Sequence, residues 1–261
     1  MDLDLGGRHA LVCGASEGIG RAAARELAAL GATVTVLSRR EDALREVAGG
    51  LDGGAGRGHA VAVADAADTA GLRAAVEAVV ARRPVHILVN NTGGPPGGPA
   101  HAAGLDAFEE AFRRHLLANH VLLQAVLAGM REARWGRVVN VVSTSVREPI
   151  AGLGVSNTVR GAVASWAKTL SRELAPDGIT VNNVLPGYTE TGRIRQIIRD
   201  RAARENRGED EVRREMEASI PARRFATPEE TGGVIAFLCS PAGAYVNGVS
   251  LAVDGGRMAS I

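Results

Sequence analysis

Leu11-Val12-Cys13-Gly14-Ala15-Ser16-Glu17-Gly18-Ile19-Gly20 is the stretch that decides the fold of this chain. The apolar run at residues 10–13 predicts a buried strand, and residues 21–30 predict a helix that ends at Gly31. Between them, three glycines follow the spacing G-x-x-x-G-x-G. A strand that runs through a glycine turn into a helix makes an anion site, because the first N–H groups of the helix point at the anion with the positive end of the helix dipole.

The composition narrows the class of protein. A length of 261 residues fits one large α/β domain. The 30 basic and 29 acidic residues are interspersed and give a formal net charge of +1. We therefore expect no nucleic-acid partner, which would call for a strongly basic face. The two cysteines, Cys13 and Cys239, lie in apolar runs and are expected to be buried thiols in a reducing compartment. The spacing of cysteine and histidine fits no metal site.

No signal peptide or membrane segment is expected. The first seven residues lack both a basic region and an apolar core, and the longest apolar runs are broken by charge or glycine. The composition therefore predicts a cytoplasmic protein that does not enter a membrane.

Short apolar runs alternate with helical patterns along the rest of the chain. Strands are predicted at residues 34–37, 59–64, 85–89, 136–142, 179–184 and 249–253, and helices at 41–47, 69–83, 105–134, 159–175, 193–219 and from Thr227. This alternation of apolar strands and helices predicts an α/β, doubly wound single-domain Rossmann fold: a parallel sheet of about seven strands with helices on both faces. Ligands of such folds bind outside the carboxyl ends of the strands, where the glycine turn, residues 90–93, Ser143 and Pro186-Gly187 all fall.

Six motifs, in this order along the chain, carry a family resemblance: Gly14 to Gly20, Asp65, Asn90-Asn91-Thr92-Gly93, Ser143, Pro186-Gly187 with Thr191, and Val253-Asp254-Gly255-Gly256. Together they resemble the short-chain dehydrogenase/reductase family over nearly the whole chain. The resemblance implies one dinucleotide-binding domain over residues 1–261, with a substrate lid at about 188–221. It also implies a small-molecule carbonyl or alcohol substrate. A homotetramer or homodimer, joined through helices 105–134 and 159–175, is expected.

The resemblance also assigns a cofactor site. It implies that Asp65 and Ala66 lie at the adenine and that residues 186–191 hold the nicotinamide. The full set of expected cofactor-binding residues is Gly14, Ser16, Glu17, Gly18, Ile19, Gly20, Ser38, Arg39, Arg40, Asp65, Ala66, Asn91, Thr92, Gly93, Arg160, Pro186, Gly187, Thr189 and Thr191.

The catalytic positions depart from the family pattern of an Asn, a Ser and a Tyr-x-x-x-Lys pair. Aligned on the flanking motifs, these positions hold His115, Ser143, Ser156 and Arg160, so that only the serine is retained. An alkanol is a much poorer acid than a phenol, whose pKa is about 10. Ser156 is therefore not expected to replace the tyrosine. An arginine keeps the positive charge of the lysine and can bind ribose hydroxyls or a carboxylate, but it does not exchange protons.

Two other side chains are candidates for the missing proton donor. A histidine at position 115 would titrate near neutrality, and Tyr188 follows Pro186-Gly187 at the expected nicotinamide end. These two residues and Arg160 also have structural interpretations. In these, His115 caps a helix contact, Tyr188 forms a pocket wall and Arg160 pairs with an acid.

The end of the second strand predicts the cofactor. NAD-binding members place a carboxylate there, whereas this strand ends in Leu37-Ser38-Arg39-Arg40, with no acid before Glu41. Arg39 can bind the 2′-phosphate of NADP(H) through charge-assisted hydrogen bonds. The alternative is an exposed pair of arginines that precedes a helix. We predict NADP(H) over NAD(H).

Three functions therefore stay open. The first is an oxidoreductase with a rebuilt proton donor. The second is a non-redox enzyme on the same fold, such as a lyase, dehydratase or isomerase, and the third is a catalytically silent nucleotide-binding protein. The helical segment 193–219 has the position of a substrate lid, and its arginines either meet an anionic substrate or form a solvated face with the glutamates.

Overall fold

One parallel sheet organises the computed structural model, which describes residues 1–260. Within that range the sheet has seven strands: β1 (His9–Cys13), β2 (Thr33–Ser38), β3 (Ala60–Val63), β4 (Ile87–Asn90), β5 (Gly136–Val141), β6 (Ile179–Pro186) and β7 (Ser250–Val253). Their order across the sheet is β3-β2-β1-β4-β5-β6-β7. The strand order reverses between β1 and β4, which is where doubly wound folds bind their ligands.

Helices cover both faces of the sheet, because successive strand residues point to opposite sides. The helices are α1 (Gly18–Ala29), α2 (Glu41–Gly49), α3 (Thr69–Arg82), α4 (Leu105–Phe112), α5 (Ala118–Glu132), α6 (Gly154–Glu173), α7 (Gly192–Glu205), α8 (Glu209–Ala218) and α9 (Pro228–Cys239). In β1, for example, Val12 packs against the α1, α2 and α9 side, whereas Leu11 packs against the α3, α5 and α6 side. The predicted doubly wound Rossmann fold is confirmed.

Three predicted helices differ from the structure in ways that matter for the site. Helix α6 begins at Gly154, five residues before its predicted start, so its first turn includes Ser156. The predicted helix 105–134 is divided by one π-helical turn, Arg113–Leu117, which includes His115. The predicted segment 193–219 is two helices, because Asn206 adopts a left-handed conformation (φ 51°) and ends α7.

Helices α7 and α8 form a small layer above the carboxyl ends of the strands. Their inner sides share an apolar cluster with Tyr188 and Phe225. Beside this cluster Arg201 of α7 and Arg207, which lies between the two helices, form ion pairs with Glu205 and Glu215. These two arginines therefore pair with glutamates, as the second interpretation expects, but they are half-buried rather than solvated.

Both cysteines are buried and unbonded, as predicted, and burial raises the pKa of each thiol to about 12. Within residues 1–260, every helix is too short or too polar to cross a membrane.

Candidate active site

A cavity of about 910 Å³ opens at the carboxyl ends of the strands, at the point where the strand order reverses. Every predicted site residue except Gly20 lines it, including His115, Ser143, Ser156 and Tyr188. Gly20 lies directly beneath the glycine turn. Five of the six motifs that are scattered along the sequence therefore meet in one crevice, and Arg257, which follows the sixth, also lines it.

The glycine turn forms a cradle that side chains would fill. Gly14 and Gly18 have positive φ angles of 60° and 55°, and a Cβ on Gly14 would lie less than 3.0 Å from the carbonyl oxygen of Asn91. Asn91 fixes the turn by donating from Nδ2 to the carbonyl of Gly14 (3.2 Å). Glu17, which precedes α1, makes no capping bond, so the N–H groups of the first turn of the helix stay available to an anion. The cradle fits the pyrophosphate of a dinucleotide.

Charged side chains surround the far end of this cradle. Arg40 forms an ion pair with Glu17 (2.9 Å) and donates to the hydroxyl of Ser16 (3.1 Å). Arg39 makes weaker contacts: its side chain is 65% exposed, and its Nη1 lies 3.7 Å from a carboxylate oxygen of Asp65. Arg39 is therefore the guanidinium that is available to a phosphate at this end.

His115 is a buried, neutral side chain. Its Nδ1 lies 2.6 Å from the hydroxyl of Thr92, in the loop after β4, and the residue is 2% exposed. Burial, together with the charges of Arg160 and Arg114, lowers the pKa of His115 to about 2. The expectation that it titrates near neutrality is wrong, because the sequence does not show this burial or these cations. A neutral imidazole lacks the acidic proton that an imidazolium could donate to a substrate.

Arg160 is a buried cation bound to backbone carbonyls. Its Nη1 donates to the carbonyl of Val141 (2.8 Å) at the end of β5, and Nη2 donates to the carbonyl of Thr92 (3.3 Å). The expected alternative, an ion pair with an acid, does not occur among the described residues. Burial and the charge of Arg193 lower the pKa of Arg160 to about 10, so the group stays charged at neutral pH.

The two serines of the expected catalytic set, Ser143 and Ser156, line the same cavity as this cation. Ser143 follows β5, and its Oγ accepts a hydrogen bond from the backbone N–H of Ser145 (3.1 Å). Its own O–H is thereby left to donate into the cavity. Ser156 is buried on α6, one turn before Arg160.

Tyr188 makes a contact that the sequence did not reveal. Its hydroxyl accepts a hydrogen bond from Nη2 of Arg257 (3.2 Å), whose guanidinium carbon lies 4.5 Å from the centre of the ring. The hydroxyl keeps its proton to donate, and both side chains line the cavity. Arg257 directly follows the motif Val253-Asp254-Gly255-Gly256, which was the only signal that could have pointed to it.

The neutral state of His115 has a consequence for stability. In the unfolded chain a histidine has a pKa of about 6.5, so below that pH the unfolded state takes up a proton that folded His115 does not. The contribution of His115 to the free energy of unfolding is therefore complete above about pH 6.5. Below that pH it falls by about 1.4 kcal/mol per pH unit. His115→Gln is expected to flatten the acid side of the stability profile, measured by urea unfolding at pH 7, 6 and 5.

The exposed His101 provides the matched control for this measurement. In His101→Gln, the slope of the free energy of unfolding against pH should equal that of wild type. The buried His9 and the half-buried His86 also have lowered pKa values and contribute equally to wild type and variants, so the difference in slope isolates His115. Equal slopes for wild type and His115→Gln would show that His115 is protonated in the folded state.

Comparisons with known proteins identify the family and confirm the fold. A family model described as enoyl-(acyl carrier protein) reductase matches residues 14–257. A protein of Streptomyces virginiae, named as a ketoacyl reductase of the monensin polyketide synthase, is 35% identical over 254 residues, which cover 95% of this chain and 96% of that protein.

Two solved structures show the same fold. The L-sorbose reductase of Gluconobacter frateurii, complexed with NADPH and L-sorbose, has a TM-score of 0.92 and is 28% identical, with full coverage of both chains. A variant of the actinorhodin polyketide ketoreductase with NADPH has a TM-score of 0.91 and is 31% identical, and the match covers 97% of this chain and 98% of that one. The match to the family model over nearly the whole length, together with these relatives, shows that the chain belongs to the short-chain dehydrogenase/reductase family.

Proposed function

We propose that this protein is an NADP(H)-dependent oxidoreductase that interconverts a carbonyl and an alcohol, with Tyr188 as its proton donor. The observation that carries the proposal is the contact between Tyr188 and Arg257 on the wall of an intact dinucleotide cavity. Oxidation of NADPH by the purified protein in the presence of a panel of ketones and aldehydes tests it.

The residues present fit the dinucleotide. The glycine turn and the N-terminus of α1 would hold the pyrophosphate, Asp65 would lie at the adenine, and residues 186–191 would lie at the nicotinamide. Two of the related structures contain NADPH, which supports the same cofactor here. When bound, NADPH supplies the hydride. The task left to this chain is to orient the carbonyl and to transfer the proton.

Charge substitution at Arg39 tests the choice of cofactor. Arg39→Asp is expected to weaken NADPH binding by roughly 10- to 100-fold, because it removes a charge-assisted hydrogen bond to the 2′-phosphate and adds a repelling charge. NADH binding should stay equal or improve. Calorimetric titration of both cofactors measures the change.

Arg45 provides the control for Arg39. It forms an ion pair with Glu41 on α2 and does not line the cavity, so Arg45→Asp makes the same charge change without facing the ligand. An equal loss of NADPH affinity in both variants, or wild-type protein that binds NADH at least as tightly as NADPH, would contradict the assignment.

Tyr188 is a better proton donor than the two alternatives at the site. His115 is neutral and would have to act as an imidazolium, while Ser156 is an alkanol with a far higher pKa than a phenol. Arg257, in contrast, places a cation beside the Tyr188 hydroxyl and would stabilise the phenolate that forms when the proton leaves. We propose that this pair replaces the family's tyrosine and lysine at another place in the cavity.

The other polar groups would orient the substrate and the cofactor. Ser143 has an O–H free to donate to the carbonyl oxygen. Arg160 fixes the ends of β4 and β5 through its bonds to Thr92 and Val141, and its remaining N–H groups are available to ribose hydroxyls or to substrate. His115 would position Thr92 rather than take part in proton transfer.

A second function is favoured by Ser156 and Arg160, which occupy the family's tyrosine and lysine positions. The protein would then bind the nucleotide without reducing a ketone, either as a non-redox lyase, dehydratase or isomerase or as a silent binder. Cofactor binding without oxidation of NADPH across the carbonyl panel would support this function over the first.

We also propose a homo-oligomer joined through α4, α5 and α6. Leu105 at the start of α4 and Leu117 just before α5 support it, since these large apolar side chains are 81% and 50% exposed. Light scattering of the purified protein would give the oligomeric state. We further propose that residues 188–221 form a lid over the cavity and that the protein is cytoplasmic.

A further inference from the structure

The charges that line the cavity are divided between its two ends. Four acidic residues line it, and three of them form ion pairs with arginines around the adenosine end: Glu17 with Arg40, Asp65 with Arg39 and Arg114, and Glu110 with Arg114. The fourth, Asp106, is exposed at the start of α4, where its carboxylate is turned onto Gly104. The charges at the adenosine end are therefore largely balanced.

The opposite end holds three arginines that form no ion pair within residues 1–260, although hydrogen bonds from Ser260 and, more weakly, the charge of nearby Arg257 lower the pKa of the Glu148 carboxylate. Arg160 donates to two backbone carbonyls, Arg193 donates to the carbonyl of Pro95 (2.7 Å), and Arg257 donates to the hydroxyl of Tyr188. All three line the cavity. Each guanidinium has five N–H groups, so donors remain available on each of them.

Arg160 and Arg193 approach the same small volume. The position that a Cβ on Gly94 would occupy lies 3.6 Å from Nη2 of Arg193 and 3.8 Å from Nη2 of Arg160. Arg160 is only 8% exposed, whereas Arg193 extends from the first turn of α7 across the mouth of the cavity. Two like charges this close, one of them buried, repel each other, and an anion between them relieves that repulsion.

The position of this cluster favours substrate over the cofactor pyrophosphate. The pyrophosphate cradle lies at the glycine turn, while Arg160 is bound to the carbonyl groups at the ends of β4 and β5, beside the loop that includes Gly94. Tyr188, the proposed proton donor, contacts the third arginine of the same cluster. An anion held here would therefore belong to the molecule whose carbonyl reacts.

We propose that the substrate is an oxo acid or hydroxy acid whose carboxylate is bound by Arg193, with Arg160 and Arg257 supplying further positive charge. This proposal rests on the proposed function and names its class of substrate. Arg193 is then the residue that determines specificity for an acid over a neutral ketone.

A binding measurement tests the proposal without requiring turnover. The protein is saturated with NADP⁺, which cannot reduce a ketone, and titrated calorimetrically with 2-, 3-, 4- and 5-oxohexanoate and with the methyl ester of each acid. We expect at least one acid to bind about tenfold or more tightly than its ester, because only the acid forms charge-assisted hydrogen bonds. Arg193→Met should abolish most of this preference and leave ester binding unchanged, and Arg193→Lys should restore part of it.

Arg199→Met is the matched control. Arg199 lies on the same helix and is exposed, but its guanidinium bonds Gln196 and does not line the cavity. This variant should keep the full acid preference. Arg193 is itself exposed, so its substitution should not prevent folding, and a thermal melt of each variant checks this.

Two outcomes would overturn the proposal. In the first, no acid of the series binds more tightly than its ester. In the second, Arg193→Met weakens NADP⁺ binding but keeps the acid preference, which would assign Arg193 to the cofactor pyrophosphate. Selective acid binding in a protein that never oxidises NADPH would instead retain the anion site and overturn the proposed reaction.

Discussion

Tyr188→Phe is expected to lower kcat for carbonyl reduction by roughly 10²- to 10⁴-fold, the usual cost of removing a positioned proton donor. The variant retains the ring that packs edge-on against Phe225 at 5.8 Å, so it removes the hydroxyl without opening a void. NADPH affinity should be unchanged, because the hydroxyl bonds Arg257 rather than the glycine turn. Steady-state kinetics and a cofactor titration measure the two effects separately.

The chain offers a matched control, since its only other tyrosine, Tyr245, is fully exposed. Tyr245→Phe should leave kcat unchanged.

Arg257→Met should also reduce kcat, but by less than Tyr188→Phe, because the phenol remains and only its stabilising cation is lost. Ser143→Ala should slow the reaction too, since the substrate oxygen loses a donor.

Two results would contradict the donor assignment. If wild type reduces ketones briskly and Tyr188→Phe reduces them equally fast, the proton comes from another group. If ketone reduction appears only in the double variant Ser156→Tyr with Arg160→Lys, the natural protein is better described as a non-redox enzyme or a nucleotide binder.

The fold could be predicted because its determinants are local. Apolar runs predict buried strands, and the glycine spacing after residue 13 places the cradle at the end of β1. The structure confirms the parallel order that these signals predict. The start of α6 was missed because its first turn, Gly154-Val155-Ser156-Asn157, has little apolar periodicity.

The electrostatics of the site could not be predicted, because they depend on residues far apart in the sequence. The pKa of His115 is lowered by burial and by Arg160, which lies on a different helix. Arg257 contacts Tyr188 across 69 residues of sequence. The sequence pattern indicates which residue types are present, but the distances between their side chains determine how burial and neighbouring charges change the chemistry of each one.

Gly20→Ala is expected to weaken cofactor binding strongly and to destabilise the protein, because the turn has no room for one more carbon. A Cβ at Gly20 would lie less than 3.0 Å from both the carbonyl carbon and the carbonyl oxygen of Gly14. These are backbone atoms of the cradle itself, so relief requires the turn to move. Overpacking of this kind costs about 1–3 kcal/mol. Displacing two N–H donors to the pyrophosphate would weaken NADPH binding by roughly 100-fold or more.

Gly233→Ala is the control for Gly20→Ala, because Gly233 lies on α9 and a Cβ there would meet nothing within 4 Å. Replacing a glycine by alanine at an open helical position should stabilise the protein by about 0.5–1 kcal/mol and leave NADPH binding unchanged. Urea unfolding and calorimetric titration compare the two variants directly. If Gly20→Ala binds NADPH as tightly as wild type, the dinucleotide does not use the turn between β1 and α1. The cavity would then have to hold its cofactor through Arg39, Asn91 and the segment after β6 alone.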